Sequence, residues 1–245
     1  MPDRTLLIDL GNTRVKWAWS RSGAVDTDSA GQGDEAAFER ACREAGGPAP
    51  GEILLSSVAG ERRTQCIVDA CGQLWNAPVR RLRSRARQGG VRCAYADPAR
   101  LGVDRWLALV GAVAAYGKPV VVWDLGTAAT LDAVNVAGQH LGGLILPGPE
   151  TMRTSLAART KLNVPVSLEG VDHLRPGCDT RECIAFGIMA AQVGAVRVFL
   201  EQIAEPETAA PRLVVTGGGA ATVRPLLERD SIHDPWLVFR GMLVD

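Results

Sequence analysis

Short apolar runs, each stopping at a polar turn, organise this chain. Leu6-Leu7-Ile8 is the first, and it meets Asp9. Beyond the turn, Val15, Trp17 and Trp19 alternate with Arg14, Lys16 and Ala18, the period-two signature of a half-buried strand. A third strand is expected near Ala24 to Ser29. Asp34 is placed as the N-cap of a helix carrying Phe38, Ala41, Cys42 and Ala45 on one face and stopped by Gly46-Gly47. Ile53-Leu54-Leu55 reads as a buried strand, and a helix with the stripe Ile67, Cys71, Leu74 and Trp75 follows.

The second half repeats this order. Val120-Val121-Val122-Trp123 is a strand ending on Asp124, and Thr130 to Val136 and His140 to Leu146 read as two more. Helices are expected over about Pro149–Arg159 and Thr180–Ile203. A strand at Leu213-Val214-Val215, a turn at Gly217-Gly218-Gly219, a helix near Thr222–Arg229 and a last strand at Leu237-Val238-Phe239 complete it. Asp-Leu-Gly recurs at the same point of the same order, 124 − 9 = 115 residues apart, which favours a duplicated fold. Hairpins plus helical crossovers predict two mixed sheets with helices on their faces, in an N-terminal domain of 1–118 and a C-terminal domain of 119–245. Leu101 to Tyr116, with Val103, Trp106, Leu107 and Val110 inward, is expected as a helix bridging the halves.

Composition narrows the function classes. With 245 residues, 47% hydrophobic, the chain can build a core without metal or disulfide staples. Net charge is zero, which removes any global electrostatic case for nucleic acid or an anionic membrane, and neither partner is expected. Only Lys16, Lys118 and Lys161 are lysines; the other basic residues are arginines. The six cysteines, at 42, 66, 71, 93, 178 and 183, contain no CxxC pair and fit no common zinc spacing. Met-Pro-Asp-Arg-Thr leads into a run too short for a signal peptide, and no apolar run approaches the ~20 residues of a membrane span, so a reduced cytoplasmic protein is expected.

The candidate chemistry sits on the turns. Gly11 and Gly126 supply tight turns without a side chain, so phosphate can approach backbone N–H groups. Asn12, Thr13 and Thr127 add donors. Asp9 and Asp124 carry carboxylates suited to a hydrated Mg²⁺ or another cation rather than to phosphate. Asp, Gly and Asn are ordinary turn residues too; it is the matched pair in a repeated order that favours phosphate handling. Lys16 is either a solvated surface lysine or one reaching a β- or γ-phosphate. Asp104, in Leu101-Gly102-Val103-Asp104-Arg105-Trp106, is either a helix N-cap or a general base for a hydroxyl proton, with Arg105 gripping a substrate carboxylate. Thr216-Gly217-Gly218-Gly219-Ala220 lets a flat ligand or phosphate lie against backbone. The run Arg80, Arg81, Arg83, Arg85, Arg87 and Arg92 lacks interleaved aromatics and reads as solvated surface or loop, and His140, His173 and His233 as structural or exposed.

Together these motifs resemble the type III pantothenate kinases of the acetate kinase/sugar kinase/Hsp70/actin superfamily, nearly end to end. Asp9-x-Gly11-Asn12-Thr13-x-x-Lys16 is similar to the family's first phosphate motif, Gly102-x-Asp104-Arg105 to its pantothenate motif, and Asp124-x-Gly126-Thr127-Ala128-x-Thr130-x-Asp132 to its second phosphate motif. Gly142-Gly143-x-Ile145-x-Pro147-Gly148 and Thr216-Gly217-Gly218 fit later segments. The resemblance implies α/β architecture with duplicated ribonuclease H-like (actin-like ATPase) domains, mixed sheets with helices and a cleft between them. It implies ATP-dependent phosphorylation of pantothenate, the first step to coenzyme A, by a homodimer using Mg²⁺ with ATP. Carried over by position, Asp104 is the proton acceptor, and Tyr95, Gly102, Val103, Asp104, Arg105 and Thr180 hold pantothenate. ATP falls to Asp9, Leu10, Gly11, Asn12, Thr13, Arg14, Val15, Lys16 and Thr127, and a monovalent cation, K⁺ or NH₄⁺, to Asp124. Where Gly-Gly-Asp is common in the adenosine segment, this chain has Gly217-Gly218-Gly219. The competing reading is a regulatory protein like the Bvg accessory factors, retaining the fold without catalysis; the intact Asp9, Lys16, Asp104, Arg105 and Asp124 argue against it.

Overall fold

Leu6, Leu7, Ile8 and Leu10 lie on β1 (Arg4–Leu10), and all four are buried because the strand is sandwiched on both faces. The computed structural model describes residues 4–44, 49–160, 165–204 and 209–245; Met1–Asp3, the helix stop expected at Ala45 to Gly47, and Lys161 lie outside them. β1 pairs antiparallel with β2 (Val15–Arg21), and β2 with β3 (Ala24–Gly33). After α1 (Glu35–Glu44), capped by the Asp34 carboxylate accepting the Ala37 N–H at 2.7 Å, β4 (Glu52–Ser57) returns parallel to β1. Then α2 (Glu61–Trp75) crosses to β5 (Val79–Arg81), completing the order β3-β2-β1-β4-β5. A small hairpin of β6 (Arg87–Gln88) and β7 (Val91–Arg92) leads to α3 (Val103–Tyr116).

The second sheet repeats the first. β8 (Val120–Leu125) forms a hairpin with β9 (Ala128–Val134), which pairs with β10 (His140–Pro147). Two helices, α4 (Pro149–Arg159) and α5 (Thr180–Ile203), cross to β11 (Arg212–Thr216), parallel to β8. After α6 (Ala220–Val223), β12 (Ile232–His233) pairs parallel to β11, and the order is β10-β9-β8-β11-β12. Hairpins give antiparallel neighbours and helical crossovers parallel ones, so both sheets are mixed in the same pattern.

Three expectations change. Leu237-Val238-Phe239 is no strand but the start of α7 (Leu237–Met242). Backbone-to-backbone packing on α3 decides this: a Cβ on Gly241 would meet the Leu107 carbonyl at 1.9 Å, and one on Gly111 the Leu237 carbonyl at 2.2 Å. Tertiary contact overrides the strand propensity of the triplet. The helix expected near Thr222–Arg229 is only α6 plus a 3-10 turn over Arg224–Leu226, because Pro225 has no N–H to continue it. The compact units are Met1–Ala115 with Trp236–Asp245, and Tyr116–Pro235, so the C-terminal segment joins the first unit rather than a continuous 119–245 domain. α3 lies in the first unit apart from its last residue, Tyr116.

Each unit has its own core. In the first, Trp17 meets Phe38 edge-on at 5.6 Å between ring centroids, and Trp19 meets Trp75 at 5.9 Å. In the second, Ala185, Ile188, Met189, Val196 and Phe199 form the buried stripe of α5, packed with Trp123, Leu131 and Leu213. By length and composition α5 is apolar enough to cross a membrane, which short apolar runs alone did not reveal. Part of the arginine run is ion-paired on the surface, Arg80 to Glu52 and Arg81 to Glu61, each at 2.7 Å.

Two outcomes follow from this packing. Gly241→Ala is expected to cost about 2–4 kcal/mol of unfolding free energy, read as a lowered urea midpoint; Gly187→Ala, on α5 with open space around it, is the control expected to leave the midpoint unchanged or raised. Burial pushes the Cys42 and Cys71 thiols up to about 12, so both stay protonated at pH 8. An alkylating reagent is expected to modify the exposed Cys66, Cys178 and Cys183 in the folded protein, and Cys42 and Cys71 only after denaturation, by mass spectrometry.

Candidate active site

The first turn is built on register. Asp9 stands opposite Lys16 across the β1–β2 hairpin and opposite Ser56 across the β1–β4 pair, so the three project from one face of the sheet. Asp9 is 9% exposed, and the fully buried Ser56 hydroxyl donates to its Oδ1 at 3.0 Å. That bond compensates part of the desolvation of a carboxylate at the end of a buried strand. Leu10 is buried in the core beneath the turn, and Val15 is buried at the start of β2. Gly11 donates its N–H to the Arg14 carbonyl at 3.0 Å, closing the turn; Asn12, Thr13 and the Arg14 side chain are exposed. Arg63, from the first turn of α2, donates to the carbonyls of Gly11 at 2.9 Å and Asn12 at 2.6 Å, and to Glu35 at 2.5 Å.

The second turn repeats the register with other supports. Asp124 stands opposite Thr130 on β9 and Thr216 on β11. Gly126 donates to the Ala128 carbonyl at 3.1 Å, as Gly11 does to Arg14. Gly217, at φ +86°, lies against this strand end: a Cβ there would sit 2.3 Å from Asp124 Oδ1 and 2.6 Å from the Leu125 backbone. The Gly219 N–H reaches the Leu125 carbonyl at 2.9 Å. The Gly217-Gly218-Gly219 turn thus presses on the Asp124 side of β8, within one unit. The exposed Thr127 gives its carbonyl to the Gly148 N–H at 2.9 Å and the Thr151 hydroxyl at 2.6 Å. Asp132, from the same motif, is consumed elsewhere: 2% exposed, it bonds the buried His140 ring at 3.0 Å and ties β9 to β10.

The third cluster opens α3. The Gly102 carbonyl accepts the Trp106 N–H at 3.0 Å, so Gly102, not Asp104, takes the cap position. Asp104 lies in the first helical turn, where its Oδ1 accepts the Arg105 N–H at 2.8 Å. Val103 is buried below, and Arg105 Nη1 donates to the Tyr95 hydroxyl at 3.4 Å. Gly102 to Arg105 and Tyr95, separated in sequence, form one corner of the first unit. The helix is anchored behind by the Trp106 indole N–H donating to Gln88 at 2.7 Å, and Gln88 donating to the Val244 carbonyl at 2.8 Å. Thr180 is exposed at the first position of α5 in the second unit, next to the cap Asp179.

Ser56, Arg63, Glu35 and Thr151 brace these turns and were not singled out from sequence, whereas Gly148 lies in a quoted motif without a bracing role being read there. Ser56-Ser57 interrupting an apolar strand was a readable signal. Arg63, one arginine of many on an amphipathic helix, gave none. Among the described residues no group of three or more His, Cys, Asp or Glu side chains is arranged to hold a metal.

Two five-stranded sheets of one strand order, each with its first strand running into Asp-Leu-Gly, have the fold seen in actin-like ATPases and sugar kinases. The activator of 2-hydroxyisocaproyl-CoA dehydratase from Clostridium difficile, solved with ADPNP bound, superposes with a TM-score of 0.55 at 13% identity, covering 98% of this chain and 91% of that one. A Campylobacter jejuni protein described as a Baf family transcriptional activator gives 0.58 at 21% identity, over 97% and 94%. Residues 5–202 match the family model of type III pantothenate kinase. The type III pantothenate kinase of Halorhodospira halophila is 34% identical over 246 residues, 97% of this chain and 96% of that one. The chain belongs to the type III pantothenate kinase family.

Proposed function

We infer that this chain is a kinase that transfers the γ-phosphoryl group of ATP to the primary hydroxyl of pantothenate, the entry step to coenzyme A. The observation that carries the reading is the start of α3, where Asp104, Arg105 and Tyr95 converge in a chain of this family. In this reading the planar Arg105 fork, steadied by Tyr95, holds the pantothenate carboxylate. Gly102 and Val103 shape the floor, and Thr180 adds a further contact. Asp104 accepts the hydroxyl proton as the oxygen attacks the γ-phosphorus and the bond to the β–γ bridging oxygen breaks, releasing ADP. Transfer of this kind is mostly positioning and charge neutralisation, so a carboxylate of ordinary basicity suffices.

The Asp9-Leu10-Gly11-Asn12-Thr13-Arg14-Val15-Lys16 turn is proposed as the triphosphate grip, with Lys16 beside Asp9 meeting the terminal phosphates and Thr127 on the nucleotide side. The residues present fit a Mg²⁺ that arrives with ATP: the ion keeps several waters and needs one or two carboxylates plus substrate phosphates, not a protein cage. Asp9, nearly buried and held by Ser56, is the donor for it, and Mg²⁺ would neutralise charge on the transferring group. Asp124, with Gly217 against its carboxylate, is proposed for a monovalent cation, K⁺ or NH₄⁺. Family membership supports a cytoplasmic homodimer as the working form. No observation favours a purely regulatory protein; the Campylobacter jejuni likeness, at 21% identity, speaks to fold alone.

A coupled assay for ADP release with pantothenate, run with and without K⁺, tests the reading. Wild type is expected to turn over pantothenate, and Asp104→Asn to lose about 10²–10⁴-fold in kcat with the KM for ATP little changed. Full activity of Asp104→Asn removes the general-base role. Absence of turnover by wild type returns the regulatory reading.

A further inference from the structure

We propose that Arg63 is a positioning residue for ATP, acting through the backbone of the Gly11–Thr13 turn and oriented by Glu35; this rests on the reading of that turn as the triphosphate grip. Arg63 touches no reacting atom in this reading. Its work is done on two peptide units. Nη1 donates to the Gly11 carbonyl at 2.9 Å and the Asn12 carbonyl at 2.6 Å, while Nε donates to Glu35 Oε1 at 2.5 Å.

A trans peptide points its C=O and N–H in opposite directions. Drawing the Gly11 and Asn12 carbonyls toward α2 therefore turns the N–H groups of Asn12 and Thr13 to the other side. Amides facing outward are what an anion needs, whereas carbonyls facing it repel it. The lock matters at this sequence because Gly11 lacks a Cβ, and a peptide flanked by glycine flips most easily. Gly11 N–H to the Arg14 carbonyl holds the start of the turn, but that bond leaves the two carbonyls unaddressed.

Glu35 completes the device. It is the first residue of α1, and its pairing with Arg63 holds its carboxyl below the usual range. The carboxylate fixes the guanidinium plane and offsets its charge, so that Arg63 grips the turn instead of competing for phosphate.

The second repeat supplies an independent observation. Asn12 and Thr127 are equivalent, each lying three residues past its aspartate (12 − 9 and 127 − 124). The Thr127 carbonyl is pinned as well, by the Gly148 N–H at 2.9 Å and the Thr151 hydroxyl at 2.6 Å. The same carbonyl is restrained in both turns by unrelated groups, which is the pattern expected if its direction, rather than any one contact, is what function requires.

Steady-state kinetics on the full chain test this with Arg63→Ala, Arg63→Lys and Glu35→Gln, each with its melting temperature. Arg63→Ala is expected to raise the KM for ATP about tenfold while the KM for pantothenate stays within about twofold. Guanidinium ion at non-denaturing concentration is expected to restore part of that loss where sodium does not. Arg63→Lys, one point charge for a fork, and Glu35→Gln are expected to be intermediate, about threefold, and they carry the test if Arg63→Ala does not fold. An unchanged KM for ATP in all three, or equal rises in both KM values with a lowered melting temperature, overturns the proposal, because Arg63 would then be a plain staple of α2 to the hairpin. Asp9→Asn separates the two readings. If Asp9→Asn impairs ATP use while the Arg63 and Glu35 variants keep a wild-type KM for ATP, only the positioning role fails. If Asp9→Asn leaves ATP use intact, the turn is not the grip and the positioning role falls with it.

Discussion

A carboxylate at the end of a fully buried central strand is the constraint from which the rest of the molecule is arranged. Asp9 closes a strand whose apolar residues are buried, and the half-buried Asp124 stands at the equivalent place on β8. A charge in that position costs several kcal/mol unless donors face it. The parallel neighbour therefore has to deliver a polar residue at one register position. β4 delivers Ser56 opposite Asp9, and β11 delivers Thr216 opposite Asp124. A slip of one residue that brought Leu55 or Val215 opposite the carboxylate would turn the hydroxyl to the other face of the sheet.

Much of this was legible in the sequence because it is periodic or local. The runs Leu6 to Ile8 and Val120 to Trp123, the alternation Val15, Trp17, Trp19 and the Asp34 cap each announce their element within a few residues. The recurrence of Asp-Leu-Gly then carries the duplication, and the two sheets share one strand order. What was illegible depends on partners far along the chain. Leu237-Val238-Phe239 has strand composition and becomes helix because Gly111 and Gly241 let two backbones meet. Arg63 is indistinguishable from its neighbour Arg62 until α2 is laid beside the first hairpin. Asp104 looked like a cap because caps favour aspartate, yet Gly102 holds the cap position and Asp104 lies in the first helical turn, with its Oδ1 accepting the Arg105 N–H.

The start of α3, the proposed pantothenate element, shows how a fold holds a helix terminus still. Arg105 reaches Tyr95 on one side of the helix, and Trp106 reaches Gln88 on another. Gln88 in turn holds the Val244 carbonyl, and the segment that ends there begins with α7 packed on Leu107 and Gly111. The last residues of the chain thus stabilise a helix that starts more than a hundred residues earlier, and the compact first unit includes them for that reason. A helix fixed by backbone contact on one face and by hydrogen bonds at its start cannot rotate about its axis, which is the freedom that would misdirect Asp104.

The two turns arose in equivalent places and are braced by different physics. The first is held by side chains: a hydroxyl on Asp9, and a guanidinium on two carbonyls. The second is held mainly by close backbone approach, with Gly217 at 86° in φ against Asp124 and the Gly148 amide on Thr127, and by one side chain, the Thr151 hydroxyl on the same Thr127 carbonyl. Side-chain braces are tunable by charge and tolerate small movements of the backbone; a glycine wall tolerates neither a Cβ nor a shift. That difference suits a turn proposed to admit and release a triphosphate on one side and a turn proposed to seat a cation of fixed radius on the other. The geometry occurs twice, and the bracing residues are where the two copies differ.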